Sequence, residues 1–273
     1  MPQTKAILSI GSVSYGIVDN SSDIDIALYY DELPSDEQLL KAMTQNGAAH
    51  LNWQLGSREE GGLIDSYMVH GVECQFAHTT IEAMDRDMDS ILIGLDVDNP
   101  FQKALSGVMA GVPIMGEGLI QQYKVRAEQY PDALAVAMVN RFLNFQPLWA
   151  IEDRMANRDA DLWRMQALVE GSYNMLGVLA GLNRLYFSCF QFKRMSAFID
   201  QMRLKPDDFG PRIASVFKGT LNASNTFREL VAETVKLVEQ YMPEIDTTVA
   251  NTRINRTVPR WDSRALFDAF KDN

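Results

Sequence analysis

Apolar and polar positions follow one rhythm up to about residue 99 and another after it. In the first part, short runs rich in β-formers alternate with stretches of helical spacing. Ala6 to Ile10 is apolar and runs straight into Gly11-Ser12, and Ile24-Asp25-Ile26-Ala27-Leu28-Tyr29-Tyr30 is rich in strand formers. Both are predicted strands. Ser35 to Met43 has helical spacing, with Pro34 just ahead and Asp36-Glu37 in the first turn, where the helix dipole favours anions. Further strands are predicted at His50 to Leu55, Leu63 to Val69 and Val72 to Phe76. Only His70-Gly71 separates the last two, which is a hairpin signal. Thr80 then caps a predicted helix carrying Ile81, Met84, Met88 and Ile91.

Beyond about Asn99 the β signal disappears. Pro100 to Pro113 is transitional and Gly116-Glu117-Gly118 has the composition of a joint. Helices are then predicted at Leu119 to Tyr130, Asp132 to Asn157, Asp159 to Phe190, Met195 to Arg203, shortly after Pro206, Ser224 to Tyr241 and Ser263 to Lys271. The pattern predicts an α+β chain in three parts. Residues 1–98 form a mixed sheet with flanking helices, 99–118 connect, and 119–273 form an all-α bundle. No internal repeat or low-complexity segment interrupts it.

Composition narrows the function. The chain has 273 residues and 47% hydrophobic content, enough to bury one large core or two modest ones. No apolar run reaches the roughly 18 residues that a membrane span requires, and the opening Met1-Pro2-Gln3-Thr4-Lys5 does not read as a secretory signal. Cys74 and Cys189 are the only cysteines, too few for a disulfide framework, so the expectation is two buried thiols in a reducing cytoplasm. A net charge of −11, from 25 basic and 36 acidic residues, argues against DNA or long RNA as substrate and for a small or cationic molecule. His50, His70 and His78 lack a common metal-binding spacing. Trp149, Trp163 and the many methionines read as core or interface filler, and Arg253, Arg256, Arg260 and Arg264 as a solvated basic stretch.

The chemistry concentrates between residues 11 and 26, in Gly11-Ser12-Val13-Ser14-Tyr15-Gly16 and then Ser21-Ser22-Asp23-Ile24-Asp25-Ile26. Residues two apart on a strand point to one face, so Asp23 and Asp25 project together. Two close carboxylates repel each other, and a divalent cation removes the repulsion. Hard magnesium suits carboxylate oxygen and fills its remaining sites with water and substrate phosphates. Gly11 and Ser12, with a later glycine, let backbone N–H groups and a hydroxyl approach phosphate oxygens, and Ser21 and Ser22 add donors. Metal on one side and phosphate-binding groups on the other is what phosphoryl or nucleotidyl transfer requires.

Gly11-Ser12, Gly16 and Ser22-Asp23-Ile24-Asp25-Ile26 resemble the signature of the nucleotidyltransferase superfamily with its polymerase β-like fold. The chain looks closest to the aminoglycoside, lincosamide and minimal nucleotidyltransferases. The resemblance implies that Asp23 and Asp25 bind one or two Mg2+ ions and that a third carboxylate comes from a neighbouring strand. That third is Glu73, in Gly71-Val72-Glu73-Cys74-Gln75-Phe76, with Asp65 as its competitor. Tyr15 stands where many minimal members carry an arginine near the triphosphate, so phosphate neutralisation leans on the metal and on a basic residue elsewhere.

In the helical half, Glu170, Tyr173, Asn174, Gly177 and Gly181 share one stripe by helical spacing. Gly177 and Gly181 weaken a helix, and close approach of another element is the expected return. Glu170 and Asn174 face the same gap, either as the rim of a helix contact or as site residues. Leu182-Asn183-Arg184-Leu185-Tyr186-Phe187 followed by Phe192-Lys193-Arg194 resembles the helical second domain of such enzymes, and the resemblance places Lys193 on the triphosphate. The expected reaction moves a nucleoside monophosphate from an NTP, by preference ATP, to a hydroxyl of a small acceptor, in a cleft between the halves. Gly11, Ser12, Tyr15, Ser22, Asn174 and Lys193 bind nucleotide, and Glu73 or Glu170 takes the hydroxyl proton. A nucleotide-binding module without turnover and an enzyme that nucleotidylates a protein are the other readings.

Overall fold

A computed structural model describes residues 4–155, 158–188, 194–218 and 223–255. The chain is α+β: a mixed six-stranded sheet with flanking helices, followed by a helical remainder. It divides into two compact units. The first runs to Ala137 and regains the chain at Arg184; the second holds Met138–Asn183 and the residues from Arg194 on.

The first unit begins with β1 (Ala6–Ile10), a helical turn α1 (Gly11–Ser14), β2 (Ile24–Tyr30), α2 (Asp36–Gln45) and β3 (Trp53–Ser57). It continues with β4 (Gly62–Val69), β5 (Val72–Thr80), α3 (Ile81–Leu92), α4 (Gln102–Ala110), β6 (Val112–Met115) and α5 (Glu117–Glu128). α6 (Asp132–Phe142) contains the boundary between the units. Local sequence accounts for the joints. Ser35 and Gln38 form a reciprocal capping box at the start of α2, and Thr80 Oγ1 accepts from the Ala83 amide to start α3. His70 and Gly71 both have positive φ (49° and 85°), as the twist of a two-residue hairpin between β4 and β5 demands.

The strand order is β3-β4-β5-β2-β1-β6, with β2 and β5 parallel and the other pairs antiparallel. One face of the sheet packs Tyr67 and Phe76 against Met43 of α2. On the other, Tyr29 of β2 meets Tyr123 of α5, with ring centroids 5.4 Å apart. Arg126 of α5 ties to α3 through Asp85 and Asp89. β6 corrects the expectation that strand structure ends near residue 99: Val112-Pro113-Ile114-Met115 pairs along β1 as an edge strand. Edge placement tolerates Pro113, which has no N–H to donate.

A buried polar chain crosses the α2 side. Gln54 Nε2 donates to Asp65 Oδ1 at 2.6 Å, His78 Nε2 lies 3.5 Å from Asp65 Oδ2, and the Tyr30 hydroxyl lies 3.1 Å from His78 Nδ1. Burial alone pushes the Asp65 carboxyl up. Hydrogen bonds from His78 and Gln54, with attraction from His78 and Arg58, outweigh it and hold the group below its ordinary value. A carboxyl depressed in this way stabilises the fold above its unfolded pKa, near 3.9, and the contribution fades as pH falls through the folded value. Asp65→Asn is therefore expected to lower neutral-pH stability by about 1.5–3 kcal/mol, the worth of hydrogen bonds to a charged group. It also flattens the acid limb of a stability-versus-pH curve from urea melts. An unchanged acid limb would remove Asp65 from this role.

After residue 183 the chain returns to the first unit. Tyr186 donates to Ala127 O at 2.7 Å, and the Phe187 amide donates to Gln102 Oε1 at 3.1 Å. Gln102 is fully buried, and its Nε2 donates in turn to Val97 O, so both ends of the amide are satisfied.

The second unit contains α7 (Leu148–Ala150), a π-helical turn (Ile151–Met155), α8 (Asp161–Asn183), α9 (Met195–Asp200), α10 (Phe209–Val216), α11 (Ala223–Tyr241) and α12 (Thr248–Ile254). The single helix expected over 132–157 is broken after Phe142, because Pro147 cannot continue a helical hydrogen-bond ladder and biases its predecessor to extended backbone. The helix expected over 159–190 ends at Asn183. Arg184 turns left-handed (φ 53°), and the Asn183 side chain accepts from the Arg203 and Leu204 amides. α12 was not expected, and the helix predicted over 263–271 lies outside the described residues, as do Cys189, Arg256, Arg260 and Arg264. Gly177 gives the close approach expected of it: a Cβ there would lie 2.3 Å from the Phe142 ring. Trp163 is no core residue, being 55% exposed beside Leu162. Among the described residues no helix is long and apolar enough to cross a membrane.

Candidate functional site

The motif of residues 11–26 folds at one end of the sheet. β1 ends at Ile10, whose register partner is Asp25, and the chain turns at once into α1. Gly11 makes this turn with φ +70°, a conformation that disfavours a side chain, and a Cβ there would lie 1.9 Å from Asp25 Oδ2. Its glycine is thus required twice, by the backbone and by the carboxylate resting against it. Ser14 Oγ donates back to Gly11 O at 2.8 Å, and the Ile17 amide donates to Ser12 O at 3.1 Å, which closes the turn. Ser12 Oγ is buried without a hydrogen-bond partner. Such an atom normally finds one, and Ser12 Oγ has none among the described residues.

The loop after α1 is shaped by Asp19. Its Oδ1 accepts from the Ser21 amide at 2.9 Å and from Ser22 Oγ at 3.2 Å, while Ser22 Oγ accepts from the Asp19 amide at 2.8 Å. Ser22, expected as a nucleotide contact, is thus committed to the loop that delivers Asp23. Asp23 precedes β2 by one residue. Its Oδ2 accepts from Gln75 Nε2 at 2.6 Å, and Gln75 is the register partner of Asp25 on the parallel neighbour β5. Asp23 and Asp25 therefore share a sheet face.

Glu73 joins them. Its Oε1 accepts from Ser66 Oγ at 2.5 Å, and Ser66 pairs across β4 with Gln75, so Glu73 lies on the same face. Asp65 pairs with Phe76 and belongs to the opposite face, in the buried chain with Gln54 and His78. The competitor for third carboxylate is thus on the wrong side of the sheet. A single cross-strand row, Trp53–Ser66–Gln75–Asp25, runs over β3, β4, β5 and β2. A recess of about 520 Å³ opens beside it, lined by Ser21, Ser22, Asp23, Trp53, Glu73 and Gln75 among others. Sequence reasoning missed Trp53, Ser66 and Gln75, which only the strand register brings to the carboxylates.

Tyr15 is half-exposed, and its hydroxyl donates to Ser106 O in α4 at 3.3 Å. Burial raises the phenol above its ordinary value, so it stays neutral and adds no charge to the site. Glu170 and Asn174 belong to the second unit: Glu170 accepts from Gln166 at 2.8 Å, and Asn174 donates to Asn144 O. Lys193 lies outside the described residues.

The donor set fits magnesium in kind. Asp23, Asp25 and Glu73 offer only carboxylate oxygen, and Mg2+ is commonly held by one or two carboxylates with water and phosphate completing its shell. No three His, Cys, Asp or Glu side chains among the described residues converge tightly enough to hold an ion on their own.

No protein-family model matches the chain, and no curated protein sequence matches it. Among solved structures, it is similar to a nucleotidyltransferase-like protein from Exiguobacterium sibiricum 255-15, at 12% identity over 99% of this chain and 86% of that one, with a TM-score of 0.36.

Proposed function

We propose that the first unit carries a magnesium-dependent nucleotidyltransferase site that moves a nucleoside monophosphate from an NTP, by preference ATP, to a hydroxyl of a small acceptor. The observation that carries this reading is the joint at Gly11: a glycine-only turn presses against Asp25 and carries the buried, unpaired hydroxyl of Ser12. A carboxylate suited to a metal rests on Gly11, and a donor suited to phosphate is the next residue. Asp23 and Asp25 would hold Mg2+, which when bound neutralises phosphate charge and polarises the α-phosphate.

The residues of the chain divide the remaining work. Gln75 holds the Asp23 carboxylate in place, and Ser66 does the same for Glu73. Ser12 donates to a phosphate oxygen of the nucleotide. The acceptor oxygen forms a bond to the α-phosphorus as the bond from that phosphorus to the β-phosphate bridging oxygen breaks. Pyrophosphate leaves with the electron pair, and Glu73 takes the acceptor's proton. Positioning supplies most of the rate in such a displacement.

Incubation of the protein with Mg2+, an α-labelled NTP and a small-molecule filtrate of cell extract tests this reading. It predicts labelled adducts together with pyrophosphate. Ser12→Ala is expected to leave the melting temperature unchanged, because Ser12 Oγ has no partner to lose, while weakening Mg–NTP binding about tenfold or more. Equal affinity in the two proteins, measured by calorimetry, would take Ser12 out of the site. A second reading, a nucleotide-binding module without turnover, draws support from the neutral Tyr15 and its engagement with Ser106. Nucleotide binding without any pyrophosphate release would favour it.

A further inference from the structure

We infer that Trp53 is the platform for the acceptor, and that the recess it lines takes an uncharged glycoside. The inference rests on the nucleotidyl-transfer reading and adds the direction of attack and the class of acceptor. Displacement at phosphorus is in line, so the attacking oxygen approaches from the side opposite the departing pyrophosphate. Gly11 and Ser12, the phosphate side of the site, follow β1, on one flank of Asp25. The acceptor then enters from the other flank, over β5, β4 and β3. That is where the recess of about 520 Å³ opens, beside Asp23, Glu73 and Gln75.

Its lining identifies what fits. Trp53 sits in register with Ser66, Gln75 and Asp25, on the face that carries the carboxylates. It is half-buried and presents a large amphipathic ring system to the recess. Apart from Gly71 and Val72, the rest of the lining is hydroxyls, amides and carboxylates, and none of its described residues is Lys, Arg or His. A phosphorylated or carboxylated acceptor would meet Glu73 with no cationic side chain in the lining, which costs affinity by like-charge repulsion. A sugar offers an apolar ring face for the indole and hydroxyls for Ser21, Gln75 and Glu73. Strands lie about 4.8 Å apart, so Trp53 stands roughly 14 Å along the sheet from Asp25. A glycoside of two linked rings spans that distance better than a single ring.

Saturation-transfer NMR with methyl β-glucoside, cellobiose and trehalose, and with trehalose 6-phosphate as the anionic counterpart, tests the assignment. The expected result is transfer to the uncharged disaccharides, at least tenfold weaker or absent for trehalose 6-phosphate and for all sugars with Trp53→Ala. If Trp53→Ala does not fold, the indole N–H resonance of Trp53, identified by its loss in Trp53→Phe, reads the contact in the unmodified protein: it shifts with disaccharide. No transfer to any uncharged glycoside, equal transfer to the phosphorylated one, or a Trp53 resonance that moves with Mg–nucleotide alone would overturn the inference. The last result would assign the indole to the nucleobase instead. Glycoside binding through Trp53 in a protein that binds no nucleotide would keep the subsite and sink the transfer reading.

Discussion

Asp25→Asn is expected to remove most of the metal-dependent nucleotide binding and to leave the sheet intact. The side chain projects from β2 at the position where Ile10, Asp25 and Gln75 lie abreast on three strands, and the amide of asparagine is close to isosteric with the carboxylate. The backbone ladder is unaffected. What changes is one negative charge and one hard oxygen donor, half of the pair that would hold Mg2+. The expected loss is at least 100-fold in Mg–NTP affinity, about 2.7 kcal/mol. Adduct formation falls by roughly 1,000-fold or more, because positioning and charge neutralisation fail together. Calorimetry and a pyrophosphate-release assay on the variant measure the two effects. Full activity with asparagine at 25 would show that the metal assignment is mistaken.

Gly11→Ala is expected to damage both stability and function, through two separable terms. The left-handed backbone at φ +70° costs an L-residue about 1–2 kcal/mol. The new methyl also falls 1.9 Å from Asp25 Oδ2, so either the carboxylate rotates away or the α1 turn shifts. The first movement displaces the oxygen proposed to bind metal, and the second displaces Ser12. A drop of several degrees in melting temperature and loss of Mg-dependent binding are the expected outcomes. The two terms separate in a double mutant. With Asp25→Ala as background, the methyl meets no carboxylate, and the backbone strain and a 3.1 Å approach to the Cβ of residue 25 remain, so the stability loss shrinks. An equal loss in both backgrounds would mean that Gly11 and Asp25 do not press on each other.

Much of this was legible before any coordinates, for physical reasons that differ from element to element. β1 and β2 were readable because buried strands need continuous apolar runs, α2 because helical spacing starts just after Pro34 with acidic residues in its first turn, and α3 because Thr80 caps where the apolar period begins. β6 was not readable. All four of its residues are exposed, so no alternation marks them, and its only partner is β1, about a hundred residues earlier. The break after Phe142 was present as Pro147, but the apolar period ran on across it. The end of α8 was hidden because Asn183 and Arg184 carry no glycine or proline stop signal; tertiary hydrogen bonds from Asn183 to the Arg203–Leu204 backbone make the turn.

The site divides in the same way. Asp23 and Asp25 were recoverable from the period of two along a strand. Glu73 was already preferred to Asp65 for a third carboxylate, and the register separates the two, since a shift of one residue exchanges the faces of the sheet. Ser66 and Gln75 became visible only when β4 and β5 were laid beside β2, because nothing local in the sequence distinguishes a positioning serine or glutamine from a solvated one. The orphaned Ser12 hydroxyl is a property of packing and has no sequence signal at all.

The most direct test of the central claim is isothermal titration of the purified protein with a non-hydrolysable ATP analogue, with and without Mg2+, beside Asp23→Ala/Asp25→Ala. The account predicts binding that requires magnesium and vanishes in the double variant. Magnesium-independent binding that survives loss of both aspartates, or no binding of any nucleoside triphosphate, would contradict it.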